Sequence, residues 1–230
     1  MKLCGLDLSI SSSGVIVEEV DDKFDVIDVK YYGFSQVRKN EQENIKFYSN
    51  KDFINDYDKY YWMYENIIEW IKDCKYVAVE DYGYGATGMV FNLAEFEGFI
   101  KINKYMQGAT MKFYAPTQVK KFFAGKGNKV YKIDMYNAFM SYNEKKPDIS
   151  TLPELRNPKT GTPPTSDIID AYAICELLRK EIRVKLGIET IDNMPKNVKE
   201  VFVGTKKKVI EGLMAENFVR RGGCLDLLAD

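Results

Sequence analysis

Histidine is absent from this chain, and with it go the Ser-His-Asp and Cys-His nucleophilic mechanisms and any metal site built on imidazole. Cysteine is scarce: Cys4, Cys74, Cys175 and Cys224 stand singly among apolar neighbours, with no Cys-x-x-Cys pair. That spacing argues against structural zinc and against a disulfide framework, so buried free thiols are expected. No apolar run approaches the roughly 20 residues that span a bilayer. The amino terminus runs straight into a strand pattern without a basic and then apolar leader, so a soluble, cytoplasmic protein is the expectation. Carboxylates, lysines, tyrosines and hydroxyls are what remain for chemistry.

Charge of one sign is also missing in the sum but not in its distribution. The net charge is −1 and the pI about 5.8, which gives no support to nucleic-acid binding by itself. Acid gathers at Glu18, Glu19, Asp21, Asp22, Asp25 and Asp28, whereas Lys112, Lys120, Lys121, Lys126, Lys129 and Lys132 follow one another with no Asp or Glu between them. One face can therefore be basic while the whole is not.

With 230 residues, 45% of them hydrophobic, the chain can bury one good core. Residues 2 to 8, 13 to 20 and 24 to 32 read as three strands in an antiparallel meander, turning at Asp21-Asp22-Lys23. A polar stretch follows, and then Tyr60, Tyr61, Tyr64, Ile67, Ile68 and Ile71 recur at helical spacing. Residues 76 to 80 form a short apolar strand. A Gly-rich turn leads into a helix over about 89 to 106, then a strand over Met111 to Tyr114, a helix from Thr117 to Phe123 and another over about 129 to 142. Five prolines mark residues 144 to 165 as a long loop, and a helix runs beyond it to about Val184. The expected fold is α/β: a mixed five-stranded sheet, three antiparallel strands then two parallel, flanked by helices in the RNase H-like order. Residues 1 to 184 would form this domain, with residues 185 to 230 as an extension that packs on it or extends it.

Four acids stand where strand or helix meets loop. Asp7 interrupts the apolar strand Lys2-Leu3-Cys4-Gly5-Leu6-Asp7-Leu8, and Glu80 closes Tyr76-Val77-Ala78-Val79-Glu80. Asp167 and Asp170 head an apolar helix, three residues apart on one face. Each has an ordinary explanation: Asp7 bonding its own turn, Glu80 facing solvent, Asp167 favoured in a first helical turn. Asp170, flanked by Ile168, Ile169, Ala171 and Ala173, is harder to dismiss, because an acid among apolar residues needs a partner. Hard divalent cations such as magnesium or manganese bind oxygen ligands and require no histidine. With the first and fourth predicted strands adjacent, four acids would enclose two ions, the arrangement of a phosphodiester-cleaving nuclease.

These motifs resemble the RuvC family of Holliday junction resolvases. Gly5-Leu6-Asp7-Leu8-Ser9-Ile10-Ser11-Ser12-Ser13-Gly14 is similar to the family's opening strand and turn, Val77-Ala78-Val79-Glu80 to its second acidic strand, and Ser166-Asp167-Ile168-Ile169-Asp170-Ala171-Tyr172-Ala173-Ile174 to its closing helix. Ala115-Pro116-Thr117-Gln118-Val119-Lys120-Lys121 and Gly125-Lys126-Gly127-Asn128 resemble the segment between them. The order holds from residue 3 to about 180.

The resemblance implies an RNase H-like Mg2+-dependent endodeoxyribonuclease, using two ions for which Mn2+ can substitute, acting on four-way junctions, forks or flaps as a homodimer. Asp7, Glu80, Asp167 and Asp170 fall on the metal-binding acids. Lys120 falls on a lysine near the scissile phosphate, and either Lys129 or Lys132 on a second. Lys121 and Lys126 join them as candidate DNA contacts, and Tyr82 or Tyr84 could stack on an unpaired base. The helix over 89 to 106, with Leu93, Phe96, Phe99 and Ile100, is the expected dimer contact. The Pro-rich loop and the tail depart from the bacterial pattern and resemble resolvases encoded by phages, in a bacterial or phage-infected cell. Two other readings stay open: an RNase H-like nucleotide-binding or phosphotransfer domain, since Asp7 to Gly14 also resembles a phosphate-binding turn, and a catalytically silent binder of branched DNA.

Overall fold

The computed structural model describes residues 1–82, 90–205 and 212–225. Three antiparallel strands, β1 (Lys2–Asp7), β2 (Gly14–Val20) and β3 (Val26–Ser35), continue on the far side of β1 into parallel β5 (Tyr76–Glu80) and β6 (Thr110–Tyr114). This is the expected five-stranded set, but the described sheet has eight strands. β4 (Ile45–Phe47) adds to the β3 edge in parallel, and the hairpin of β7 (Phe218–Arg220) and β8 (Gly223–Leu225) adds to β6. The full order is β4-β3-β2-β1-β5-β6-β7-β8. Three-residue strands carry too little alternation to announce themselves, and β4 lies in the stretch read as polar loop.

Strand periodicity divides the interior in two. Cys4, Leu6 and Leu8 of the first strand segment, with Val15, Val17, Val77 and Val79, face α1 (Asp56–Trp70) and α2 (Val90–Met106). Leu3, Ile16, Val20 and Ala78 face the other way, onto α5 (Thr165–Lys185). Asp7 follows Leu3 and Gly5 on that second face, and Glu80 follows Ala78. The alternation that buries the core therefore aims both strand-end acids toward α5.

Nearly every residue of α5 is buried, because α3 (Pro116–Ala124) and α4 (Lys132–Ser141) cover its outer side, with α6 (Lys196–Val203) packed on α3. α4 starts at Lys132, three residues later than expected, after Lys129 adopts a left-handed backbone conformation (φ 54°). Two glycines let α5 lie against the sheet backbone. A Cβ on Gly5 would stand 2.4 Å from the Ala171 carbonyl oxygen, and one on Gly14 would stand 2.2 Å from that of Asp167. No side chain fits either gap.

Two buried ionic groups fasten this layer. Arg179 donates to Glu176 at 2.6 Å and lies 3.5 Å from Glu18 of β2, while the Tyr142 hydroxyl donates to Glu176. Burial and the Glu176 carboxylate push Glu18 well above the usual carboxylate range, against the pull of Arg179. At the other end, Lys112 of β6 bridges Glu181 (3.3 Å) and Glu216 (2.9 Å), and Lys185 pairs with Glu181 (3.1 Å) and donates to the Glu216 carbonyl. The segment after α5 is thereby tied to the sheet edge it extends. Cys4, Cys74 and Cys175 are buried free thiols.

Two acids against one arginine in the α5 core make opposite substitutions unequal. Arg179→Met strands both carboxylates and should cost about 3–5 kcal/mol in urea unfolding at pH 7. Glu18→Gln removes an acid that is already disfavoured as a charge and should cost about 1 kcal/mol or less. The reverse ordering would show that Arg179 is not the group holding this pair.

Candidate active site

β1 and β5 run parallel in register from Leu3 opposite Tyr76 to Leu6 opposite Val79, so the next residues, Asp7 and Glu80, close neighbouring strands at the same end. Asp7 also pairs with Gly14, the residue over which the first turn of α5 passes. Asp167 and Asp170 lie on that turn. All four acids predicted from the sequence are thus brought to one corner of the sheet, where the charges of Asp170, Glu80 and Asp167 raise the proton affinity of Asp7.

Burial and then the Asp170 charge push Asp7 well above the usual carboxylate range, with Glu80 and Asp167 adding to it. The same two causes push Glu80 up to about 7. Asp167 rises to about 6 through burial, held down by Lys132 and by a hydrogen bond from Ser12. Lys132, at the first turn of α4, pairs with Asp170 through a close Nζ to Oδ2 contact, and the surrounding acids hold its ammonium charged despite burial. A single lysine is therefore the counter-charge of the whole cluster, assisted at Glu80 by Lys120.

Hydroxyl groups complete the setting. The Ser12 hydroxyl donates to Asp167 Oδ2 at 2.6 Å, and Ser166 Oγ lies 3.3 Å from Oδ1. Ser12 is placed by a serine turn in which Ser9 Oγ accepts from the Ser12 N–H and Ser13 Oγ donates to the Ser9 carbonyl. The Tyr48 hydroxyl donates to the Ser11 carbonyl. Sequence reasoning assigned no role to Ser12; the run Ser11-Ser12-Ser13 after an apolar strand was the available signal. It also missed Glu97, a buried acid of α2 whose charge raises Glu80 further.

The candidate DNA-contacting residues separate. Lys132 pairs with Asp170 and Lys120 lies near Glu80, while Lys129 is exposed. Lys121 turns away to Glu200 of α6 (2.6 Å), and Lys126 pairs with Asp134 (3.4 Å). Tyr82 is tethered to α2: the Lys101 ammonium stands 4.5 Å from its ring centroid and donates to its hydroxyl at 3.4 Å. Tyr84 lies outside the described residues.

An all-oxygen donor set suits a hard divalent cation. Asp170 Oδ1 is buried without a hydrogen-bond partner, and the acids already surround a positive charge. The residues therefore fit such an ion in charge and donor type. Among the described residues, no group of three or more acidic side chains is placed to hold a metal ion.

Comparison with protein-family models and with curated protein sequences finds no match. Among solved structures, the chain is similar to Thermus thermophilus RuvC, with 17% identity over 81% of this chain and 97% of that one and a TM-score of 0.50. It is also similar to the yeast mitochondrial Holliday junction resolvase Ydc2 (12% identity, 80% of each chain, TM-score 0.48) and to the fowlpox virus Holliday junction resolvase (10%, 79% of this chain and 99% of that one, TM-score 0.40). At 17% identity the fold is what is shared with Thermus thermophilus RuvC: an α/β mixed sheet flanked by helices. No described helix is long and apolar enough to cross a membrane.

Acids with raised folded-state pKa bind more protons folded than unfolded, so they withdraw stability as pH rises from about 4 to about 7. In EDTA, Glu80→Gln should melt a few degrees above the unsubstituted protein at pH 8, and the difference should shrink by pH 5 and vanish below about pH 4. A Glu80→Gln protein that melts lower at pH 8 would show that the cluster carries no such charge burden.

Proposed function

We propose that the protein is a divalent-metal-dependent endonuclease that nicks branched DNA, with the four-way junction as its principal substrate. The observation that carries this reading is that β1, β5 and the first turn of α5 bring Asp7, Glu80, Asp167 and Asp170 to one corner of the sheet, with the half-buried Lys132 ammonium paired to Asp170, on a fold similar to that of Thermus thermophilus RuvC. A DNA-binding protein with no chemistry to perform gains nothing from four acids facing phosphate. RuvC and the other similar proteins are described with Holliday junctions, which extends to this chain as part of the proposal.

Asp7, Glu80, Asp167 and Asp170 would hold the metal, with Mg2+ or Mn2+ as the ions. Bound there, the cations supply charge neutralisation at the scissile phosphate and activation of a water. The chain's own groups do the rest. Ser12 holds the Asp167 carboxylate in place through its 2.6 Å hydrogen bond. Lys120 and Lys132 are the cations nearest the acids and would meet the phosphate, with Lys129 reaching flanking backbone. Tyr82, its hydroxyl and one face already held by α2, would offer its remaining ring surface to an unpaired base.

A junction is approximately two-fold symmetric, and a homodimer would present two such sites to matching strands. α2 is the proposed contact, though not through every residue expected. Phe96 and Ile100 are buried in the protein's own core, whereas Phe91, Phe99 and Ile102 are 75%, 53% and 66% exposed and would supply the apolar surface. The residues after Lys185 are proposed to be an extension completing the domain and not a second functional unit.

Cleavage of a labelled four-way junction, a Y-fork and a linear duplex with Mg2+ or Mn2+ tests the proposal. Symmetric nicks near the junction centre should appear and should be abolished by Asp7→Asn or by Asp170→Asn. Junction binding without cleavage under either metal would favour the silent binder, and stabilisation by ATP with no DNA binding would favour the nucleotide reading. In ultracentrifugation the unsubstituted chain should sediment as a dimer and the Phe99→Asp, Ile102→Asp double variant as a monomer; a concentration-independent monomer in both would remove the dimer.

A further inference from the structure

The charge that the acid cluster needs is already present in the fold, and it is attached to the chain. Lys132 reaches from the first turn of α4 to Asp170 and is drawn there by Asp7 and Asp167 as well. Its stem is held from behind. The Ile133 N–H donates to the Pro158 carbonyl at 2.9 Å, and Gly161, at φ +85°, approaches so closely that a Cβ there would stand 3.1 Å from Lys132 Cγ and 2.6 Å from Ser166 Cβ. The Pro-rich segment before α5 is thus the support that presses this lysine into the acids. Asp170, meanwhile, keeps one oxygen buried and unpartnered, and no three acids close upon one another. At this corner the one ammonium in contact with an acid of the cluster, among the described residues, is that of Lys132 on Asp170.

We infer that Lys132 is a built-in counter-ion that holds the acid cluster against divalent cations, and that metal loading requires its ammonium to leave Asp170. The inference deepens the nuclease reading and rests on it for the identity of the acids as metal ligands. A lysine and a divalent ion cannot both neutralise the same carboxylates at short range, so the two compete. The competition has a direction that suits the chemistry: an ammonium displaced from Asp170 is available to a phosphate, and by linkage a phosphate that draws it away tightens the metal. A site arranged this way stays folded without metal and becomes fully charged with ions when DNA is present.

Mn2+ binding by calorimetry, without DNA, to the unsubstituted protein, Lys132→Met and Lys132→Arg tests the competition. Lys132→Met should bind Mn2+ about tenfold more tightly, the scale on which a neighbouring charge alters a carboxylate, while Lys132→Arg stays near the unsubstituted affinity. Equal or weaker binding by a Lys132→Met protein with native circular dichroism would overturn the inference. So would a gain in Lys132→Arg as large as that in Lys132→Met, or no Mn2+ binding by any form. A second measurement needs no variant: the rate at which an amine-acylating reagent labels Lys132, read by mass spectrometry, should rise several-fold between EDTA and saturating Mn2+, and an unchanged rate would refute displacement. Neither readout involves cleavage. A chain that shows the exchange yet cuts no DNA would lose the nuclease reading alone, and one that cuts DNA with no exchange would lose only this inference.

Discussion

The approach of α5 to the bare backbone of β1 and β2 is the constraint on which the rest of the molecule depends. Gly5 and Gly14 leave room for the Ala171 and Asp167 carbonyls at distances that no Cβ could share. A substitution at either would lift the helix off the sheet by the thickness of a side chain. The acids on its first turn would then lose Asp7 and Glu80 as neighbours, and Arg179 would be drawn away from Glu18. Core packing and site assembly are therefore one event, set by two glycines.

That same closeness makes the site expensive to hold. Asp7, Glu80 and Asp167, raised by burial and by the charge of Asp170, oppose folding at neutral pH, and the structure answers with hydroxyls at Asp167 and an ammonium at Asp170. The Pro-rich segment gains a purpose from this. It looks like an insertion in the sequence, but it supplies the carbonyl that fixes the start of α4 and the glycine that crowds the Lys132 stem.

The far edge of the sheet follows a different logic. β6 would end the parallel set with unpaired backbone, and the returning tail covers it with β7 and β8 while Glu216 reaches Lys112 beneath. Lys121, from the basic run, pairs with Glu200 of α6. A run of lysines without acids nearby in sequence says nothing about acids brought by a segment eighty residues later.

The five central strands, the helices that follow them and the four acids were legible in the sequence, because hydrophobic alternation fixes which strand residues face inward and because an acid inside an apolar run contradicts its surroundings. Asp7 and Glu80 face α5 for the same reason that Leu3 and Ala78 do. The three-residue strands, the pairing of Lys121, Lys126 and Lys132 with their acids and the hydrogen bond from Ser12 were decided only by the tertiary structure. Each depends on a contact between segments far apart in the chain, across 155 residues for Ser12 and Asp167, and no local pattern carries a distance of that kind.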